Sequence, residues 1–248
     1  MTGEGASAPS DARLLDVCDA GRAVSPGERG LMLLLFARPD LSREAARDLP
    51  VGARDAALTE HFIRRYGPRA EAVADCPRCV EKLELDAPLE EFVAQAPASP
   101  ASQPAEFAVN GRIVAMRTPT AGDLAALGRL LSADEAAEAQ SALLRRCLVS
   151  GGPLRGEEEA EAAEKLAEIV AERDPLANIT LDLACPACGA RWSAGFDIVE
   201  FLWRRLETSA AALMRDIHCI ARAYGWNEGE ILALPPARRR RYVEMIGS

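Results

Sequence analysis

Hydrophobic positions recur at steps of three and four over most of this chain, and the longest run lies toward its C-terminal end. Val199, Leu202, Leu206, Ala210, Leu213, Ile217, Ile220 and Tyr224 form one stripe. It predicts a single amphipathic helix from about Ile198 to Tyr224, roughly 40 Å long. Gly225 supplies the stop, Asn227 with Glu230 caps a short helix through Leu234, and Pro236 starts a last one. At the other end, Leu14, Leu15, Val17 and Cys18 predict a helix from Asp11 to Ala23, and Ser25-Pro26 caps and opens a second. Its segment Leu31 to Phe36 is apolar all round, which means a buried helix or a surface awaiting a partner. Ala57, Leu58, Phe62 and Ile63 mark a further helix that ends at Tyr66-Gly67-Pro68. Thr118-Pro119-Thr120 opens a helix to Leu131, and the capping box Ser132-Ala133-Asp134-Glu135 starts another reaching Val149. Glu157 to Glu172 then carries a thin stripe of Ala160, Ala163, Leu166, Ala167 and Val170, with seven glutamates that read as a solvated face.

Alternation with period two is confined to short stretches. Ala70 to Asp75, Glu81 to Asp86, Ile179 to Ala184 and Arg191 to Phe196 read as extended, with Leu83 and Leu85 alternating against charged neighbours. Phe107 to Val114 reads as a hairpin, because Asn110-Gly111 favours the type I′ turn whose twist matches paired strands. Pro88 to Gln95 reads as a short helix, and Ala96 to Ala105, rich in Pro, Ala and Ser, as a linker. The expected fold class is therefore α+β and mostly α-helical. Its expected segments are a disordered tail over 1–10, a helical segment over 11–67, a first turn region over 68–95, an insertion of hairpin plus helices over 96–178, and a second turn region with C-terminal helices over 179–248. These segments would form one composite domain.

The extended stretches gain their meaning from what they flank. Cys76-Pro77-Arg78-Cys79 sits between the first two and Cys185-Pro186-Ala187-Cys188 between the last two. A two-residue gap lets both sulfurs of one turn reach one metal, and four thiolates suit a closed tetrahedral Zn²⁺ site. Cys76, Cys79, Cys185 and Cys188 are thus the candidate ligands of one structural zinc, in a ribbon split by the long insertion. The competing readings are a redox dithiol, where such a turn caps a helix, and unrelated thiols. Gly189 follows the second turn, where positive φ is wanted, while the first turn carries Val80 at that place. His61 and His218 lie in apolar helical patterns and read as ordinary histidines, and the isolated Cys18, Cys147 and Cys219 as small buried hydrophobes of a reducing compartment.

Composition narrows the function. Residues numbering 248, with 49% hydrophobic content, can bury a sizeable core. A net charge of −9, from 29 basic and 38 acidic residues, argues against a nucleic-acid-binding surface. No apolar run is long enough for a membrane span, and Met1 to Asp11 lacks the order of a signal peptide, so the expected location is cytoplasmic. Gly-rich phosphate loops, the Gly-x-Ser-x-Gly elbow and His-Glu-x-x-His are missing, and four cysteines would close a zinc site to substrate, so a non-enzymatic protein is expected. Arg238 to Arg241 fit either the basic end that a helix tolerates or a contact with a phosphate or an acidic partner.

The order of short motifs resembles a family. Leu49 to Asp55, Cys76 to Cys79 with Leu83-Glu84, Arg117-Thr118-Pro119-Thr120 with Asp123-Leu124, and Cys185 to Gly189 follow one another as in baseplate proteins of T-even-like contractile phages. The series continues through Phe196-Asp197, Phe201-Leu202-Trp203, Ala223-Tyr224-Gly225-Trp226 and Glu230 to Arg240, so the resemblance covers roughly residues 45 to 248. Related proteins are labelled baseplate hub assembly chaperone and occur in gene clusters for contractile injection systems. The resemblance implies an assembly factor or structural component whose partners are other baseplate or hub proteins of a contractile tail, transient or retained in the particle. A zinc-ribbon regulatory or nucleic-acid adaptor is the alternative, with a redox dithiol protein behind it.

Overall fold

A computed structural model describes residues 11–97, 103–128, 130 and 135–247. The expected tail over 1–10, residues 98–102 of the linker and the capping box at Ser132 to Glu135, apart from Glu135 itself, lie outside the described residues. The chain divides into two compact units, Ser25–Glu200 and residues 11–24 together with 201–247.

Helix α1 (Asp11–Gly21) belongs to the smaller unit, and the larger unit opens with α2 (Pro26–Ala37), α3 (Arg43–Asp48) and α4 (Val51–Tyr66). Ser25 caps α2 as expected, its hydroxyl accepting the Glu28 N–H at 3.3 Å. Leu31, Leu33, Leu34 and Phe36 are buried and Met32 and Leu35 half-buried, so most of the apolar run is core. Gly27 allows α2 to approach its neighbour closely, since a Cβ at 27 would lie 2.1 Å from the carbonyl oxygen of Leu124. The helix α3 was not legible as a separate element. Ser42 caps it by accepting the Ala45 N–H at 3.1 Å.

Strands β1 (Arg69–Asp75) and β2 (Lys82–Pro88) form a two-stranded antiparallel hairpin, followed by α5 (Leu89–Val93). Strands β3 (Ala105–Val109) and β4 (Arg112–Met116) pair around Asn110-Gly111, whose φ values of 47° and 75° are those a type I′ turn requires. Thr120 and Asp123 cap α6 (Ala121–Ala126) reciprocally.

Helix α7 (Ala136–Cys147) stops short of the expected Val149. Leu148–Ser150 instead forms β5, which pairs with β4, and the positive φ of Gly151 and Gly152 turns the chain away. Helix α8 (Glu157–Arg173) buries Ala162 and Leu166, while Ala160 and Ala167 of the expected stripe face solvent. The buried row is thus narrower than the five apolar residues of the stripe suggest. Val109, Val114, Met116, Leu144, Cys147, Leu154, Ala162 and Leu166 form the core beneath this sheet and helix pair. A 3₁₀ turn (Pro175–Asn178) leads to β6 (Thr180–Ala184) and β7 (Arg191–Gly195), a second antiparallel hairpin.

Helix α9 (Ile198–Tyr224) carries the predicted stripe. Val199, Leu202, Leu206, Ala210, Leu213, Ile217 and Ile220 are buried, and only Tyr224 leaves it, at 39% exposure. In the smaller unit, α10 (Glu228–Leu232) has the Asn227–Glu230 capping box, and α11 (Pro236–Ile246) is joined to α1 through the Arg239–Asp11 ion pair. Tyr224 stacks on Trp226 with ring centroids 5.2 Å apart, and Tyr242 meets both rings edge-on. No helix among the described residues is long and apolar enough to cross a membrane.

Candidate metal centre

Each cysteine turn closes a hairpin in the same way. The Cys76 N–H donates to the Glu81 carbonyl at 2.9 Å and the Val80 N–H to the Cys76 carbonyl at 2.9 Å. In the second turn, the Cys185 N–H donates to Ala190 at 2.8 Å and the Gly189 N–H to Cys185 at 2.9 Å. Such a turn forces its fourth residue after the first cysteine into the left-handed region, and φ is 61° at Val80 and 70° at Gly189. Neither turn opens a helix, which removes the helix-capping geometry on which a thioredoxin-like dithiol depends.

The two hairpins bring together residues 106 and 112 positions apart in sequence. The Sγ atoms of Cys79 and Cys185 are 3.5 Å apart, those of Cys76 and Cys188 3.7 Å, and all four lie within 4.8 Å of one another. A tetrahedral metal with metal–sulfur bonds near 2.3 Å has sulfur–sulfur edges of about 3.8 Å. The quartet Cys76, Cys79, Cys185 and Cys188 therefore has the size and donor chemistry to hold a metal ion. Cys76 and Cys185 are buried, Cys188 is half-buried and Cys79 is exposed.

Backbone dipoles support negative charge on the sulfurs. Burial raises the Cys76 pKa, but the amide N–H groups of Cys79 and Arg78 that point at its sulfur outweigh this and bring it to about 6. Cys79 receives the Glu81 N–H, yet its contacts with Cys188 and Cys185 push it up to about 12. Neighbouring thiols share their first negative charge readily and resist a second. A cation at their centre would lift that restraint, because it is attracted to every sulfur at once.

The metal cluster among the described residues contains cysteine alone. His61 packs its ring on Phe36, with centroids 5.5 Å apart, and burial with Arg64 and Arg65 nearby lowers its pKa to about 4. His218 is exposed on α9. Cys18 and Cys147 are buried as expected, and burial raises their pKa values to about 11 and 12. Cys219 is half-exposed, so it is not the buried hydrophobe expected.

A second junction lies in the same unit, built from two motifs that carried the family resemblance. The Val51 N–H donates to Pro119 at 3.1 Å and the Ala121 N–H to Leu49 at 2.9 Å, a one-bridge ladder between Pro50 and Thr120. Asp123, 1% exposed, accepts from Arg117 at 2.6 and 3.1 Å, from Arg146 at 2.9 Å and from the Thr120 N–H at 2.9 Å. Burial alone would raise its pKa, but the Arg117 bonds, the Thr120 N–H and Arg146 together hold it below the usual range. Asp174 accepts the Gly52 N–H at 2.9 Å, and here burial wins and raises the pKa. Any Cβ at position 52 would fall 2.2 Å from an Asp174 carboxylate oxygen, which explains the glycine. These residues position the joined segments; Gly52, Arg117 and Asp123 lie in the quoted motifs, while Arg146 and Asp174 had no signal in the sequence.

Comparison with family models, curated proteins and solved structures finds no match for this chain.

Proposed function

We propose that this protein is a non-enzymatic assembly factor or structural component of the baseplate of a contractile tail or contractile injection system, shaped by one structural Zn²⁺. The observation that carries this reading is the order of motifs from Leu49 to Arg240. Two further facts support it. A four-thiolate donor set favours zinc and leaves no open coordination position for substrate, so the metal would supply folding energy and no chemistry. Motif residues such as Gly52, Arg117 and Asp123 act in joining segments, as residues of a scaffold do. The zinc would be held by Cys76, Cys79, Cys185 and Cys188, and elemental analysis of purified protein should return about one zinc per chain. A value under a tenth of that, with Cys185→Ser leaving stability unchanged, rejects the metal.

The baseplate reading is tested in the native gene cluster. Deletion should leave free sheath or tube fragments, or tails without a complete baseplate. Normal numbers of complete, contractile particles from the deletion strain would refute the assignment. The split ribbon also supports a zinc-adaptor reading, with the charge of −9 weighing against nucleic acid as the target. Retention on DNA at moderate salt would favour that adaptor.

A further inference from the structure

The seam between α7 and α8 is open on one side. Two adjoining cavities of about 450 and 510 Å³ run along it and share Gln140, Leu144, Ala163 and Ala167. The floor is apolar, with Leu143, Leu166 and Val170 in the first cavity, while Glu159 and Glu164 enter the lining of the second. Of these two, Glu159 is met by Arg145 at 3.9 Å and by the Ser141 hydroxyl at 3.1 Å, whereas Glu164 is exposed and forms no ion pair among the described residues; α8 carries seven glutamates in all. An apolar groove beside an acidic helix fits a helix that carries an apolar side chain among basic ones.

The chain carries such a helix. On α11, Arg238, Arg241 and Met245 succeed one another at steps of three and four, so they share one face, and Met245 is 65% exposed. Arg238, Arg240 and Arg241 are exposed and form no ion pair among the described residues. The helix is held from behind, by Arg239 on Asp11 and by Tyr242 against Tyr224 and Trp226, so its outer face is presented with little further loss of conformational freedom. Length matches as well. The 11 residues of α11 span about 16 Å and the 17 of α8 about 25 Å, so the whole basic helix can lie along α8.

We propose that the α7–α8 groove receives helix α11 of a second copy of this chain, Met245 entering the apolar floor and Arg238 and Arg241 meeting the glutamates of α8. The contact joins two different surfaces, so reciprocal exchange closes a dimer and one-way exchange gives a ring or a chain of copies. It does not depend on the baseplate reading.

The test is sedimentation velocity of the purified, metal-loaded protein over a range of concentrations. At about 0.05 M salt the mass should exceed that of one chain, and at about 0.5 M it should fall toward the monomer, since the screening length then drops to a few Å. R238E/R241E should weaken association about tenfold or more, and E164R should weaken it measurably, each with an unchanged circular dichroism spectrum. Mixing the two reversed variants should restore a heterogeneous complex. A protein that stays monomeric at every concentration, or associates equally well with R238E/R241E, overturns the proposal. So does a folded pair of reversed variants that fails to recombine, and so does a groove that captures a basic helix of another protein while the chain itself remains monomeric.

Discussion

Two junctions in the larger unit join sequence-distant segments by opposite means. The cysteine junction brings residues 76–80 to 185–190 through four sulfurs that could hold a metal ion, and a cation at their centre would offset the repulsion between their charges. The aspartate junction ties residues 49–52 to 119–123 and to Asp174, and protein groups alone satisfy it: two arginines and an amide around Asp123, one amide on Asp174. The first is therefore expected to answer to metal and the second to pH. Within the second, the two carboxylates also differ, because Asp123 is needed as an anion and Asp174 as an acceptor.

Removing the metal should have the largest effect. Structural zinc contributes on the order of 10 kcal/mol in small model domains, so a strong chelator or Cys185→Ser should lower the melting temperature by about 10 °C or more. Hydrogen exchange separates the junctions. Protection should vanish at the Cys76 and Cys185 amides and persist at Val51 and Ala121. Simultaneous loss at all four would mean that the junctions are one cooperative unit.

Replacing the two aspartates by asparagine should give unequal results. Asp123→Asn strips the anion from two arginines that are partly open to solvent, at 36% and 41% side-chain exposure, which moderates the cost to roughly 2–3 kcal/mol at neutral pH. Asp123 has a folded pKa below its unfolded value. Its stabilisation is thus present above about pH 4 and is lost as the pH falls through the folded pKa. Asp174 has a raised folded pKa, so its contribution is complete below about pH 4 and declines as the pH rises through the folded value. Asp174→Asn keeps an oxygen for the Gly52 N–H without a buried charge and should change stability at pH 7 by less than about 1 kcal/mol, in either direction. Urea denaturation between pH 3 and pH 7 reads both. Equal losses for the two variants would place the same demand on both carboxylates and dissolve the contrast.

The two junctions also differed in how far the sequence disclosed them. Cysteines pair with metal at a fixed spacing, so all four candidate ligands were legible, as were the flanking strands and the Asn110-Gly111 turn, each set by local chemistry. The aspartate junction depends on which loops meet. Nothing near Asp123 indicates that Arg146 will reach it, and nothing near Gly52 announces Asp174. Tertiary pairing also decided the end of α7: Leu148, Val149 and Ser150 continue a helical pattern in sequence but complete a sheet edge in space. On α8, alanines fit either face, and only packing tells buried Ala162 from exposed Ala160 and Ala167. The long stripe of α9 was legible because its Leu and Ile positions tolerate just one face.

The smallest effect lies inside the cysteine junction, where its two halves use one backbone with different residues. Val80 and Gly189 both sit at positive φ, and both N–H groups close the turn on the first cysteine of the pair. A β-branched residue at positive φ costs about 1–2 kcal/mol, and Val80 recovers little by burial, being 74% exposed. Against this stands the greater freedom of glycine in the unfolded chain, which costs roughly 0.5–1 kcal/mol. Val80→Gly should therefore raise stability by up to about 1 kcal/mol with metal content unchanged, and Gly189→Val should lower it by about as much as Val80 now costs. Denaturant titration of the metal-loaded pair measures both. If Val80→Gly destabilises by more than about 1 kcal/mol, the valine is supported by contacts that its exposure does not reveal, and the two turns are not equivalent.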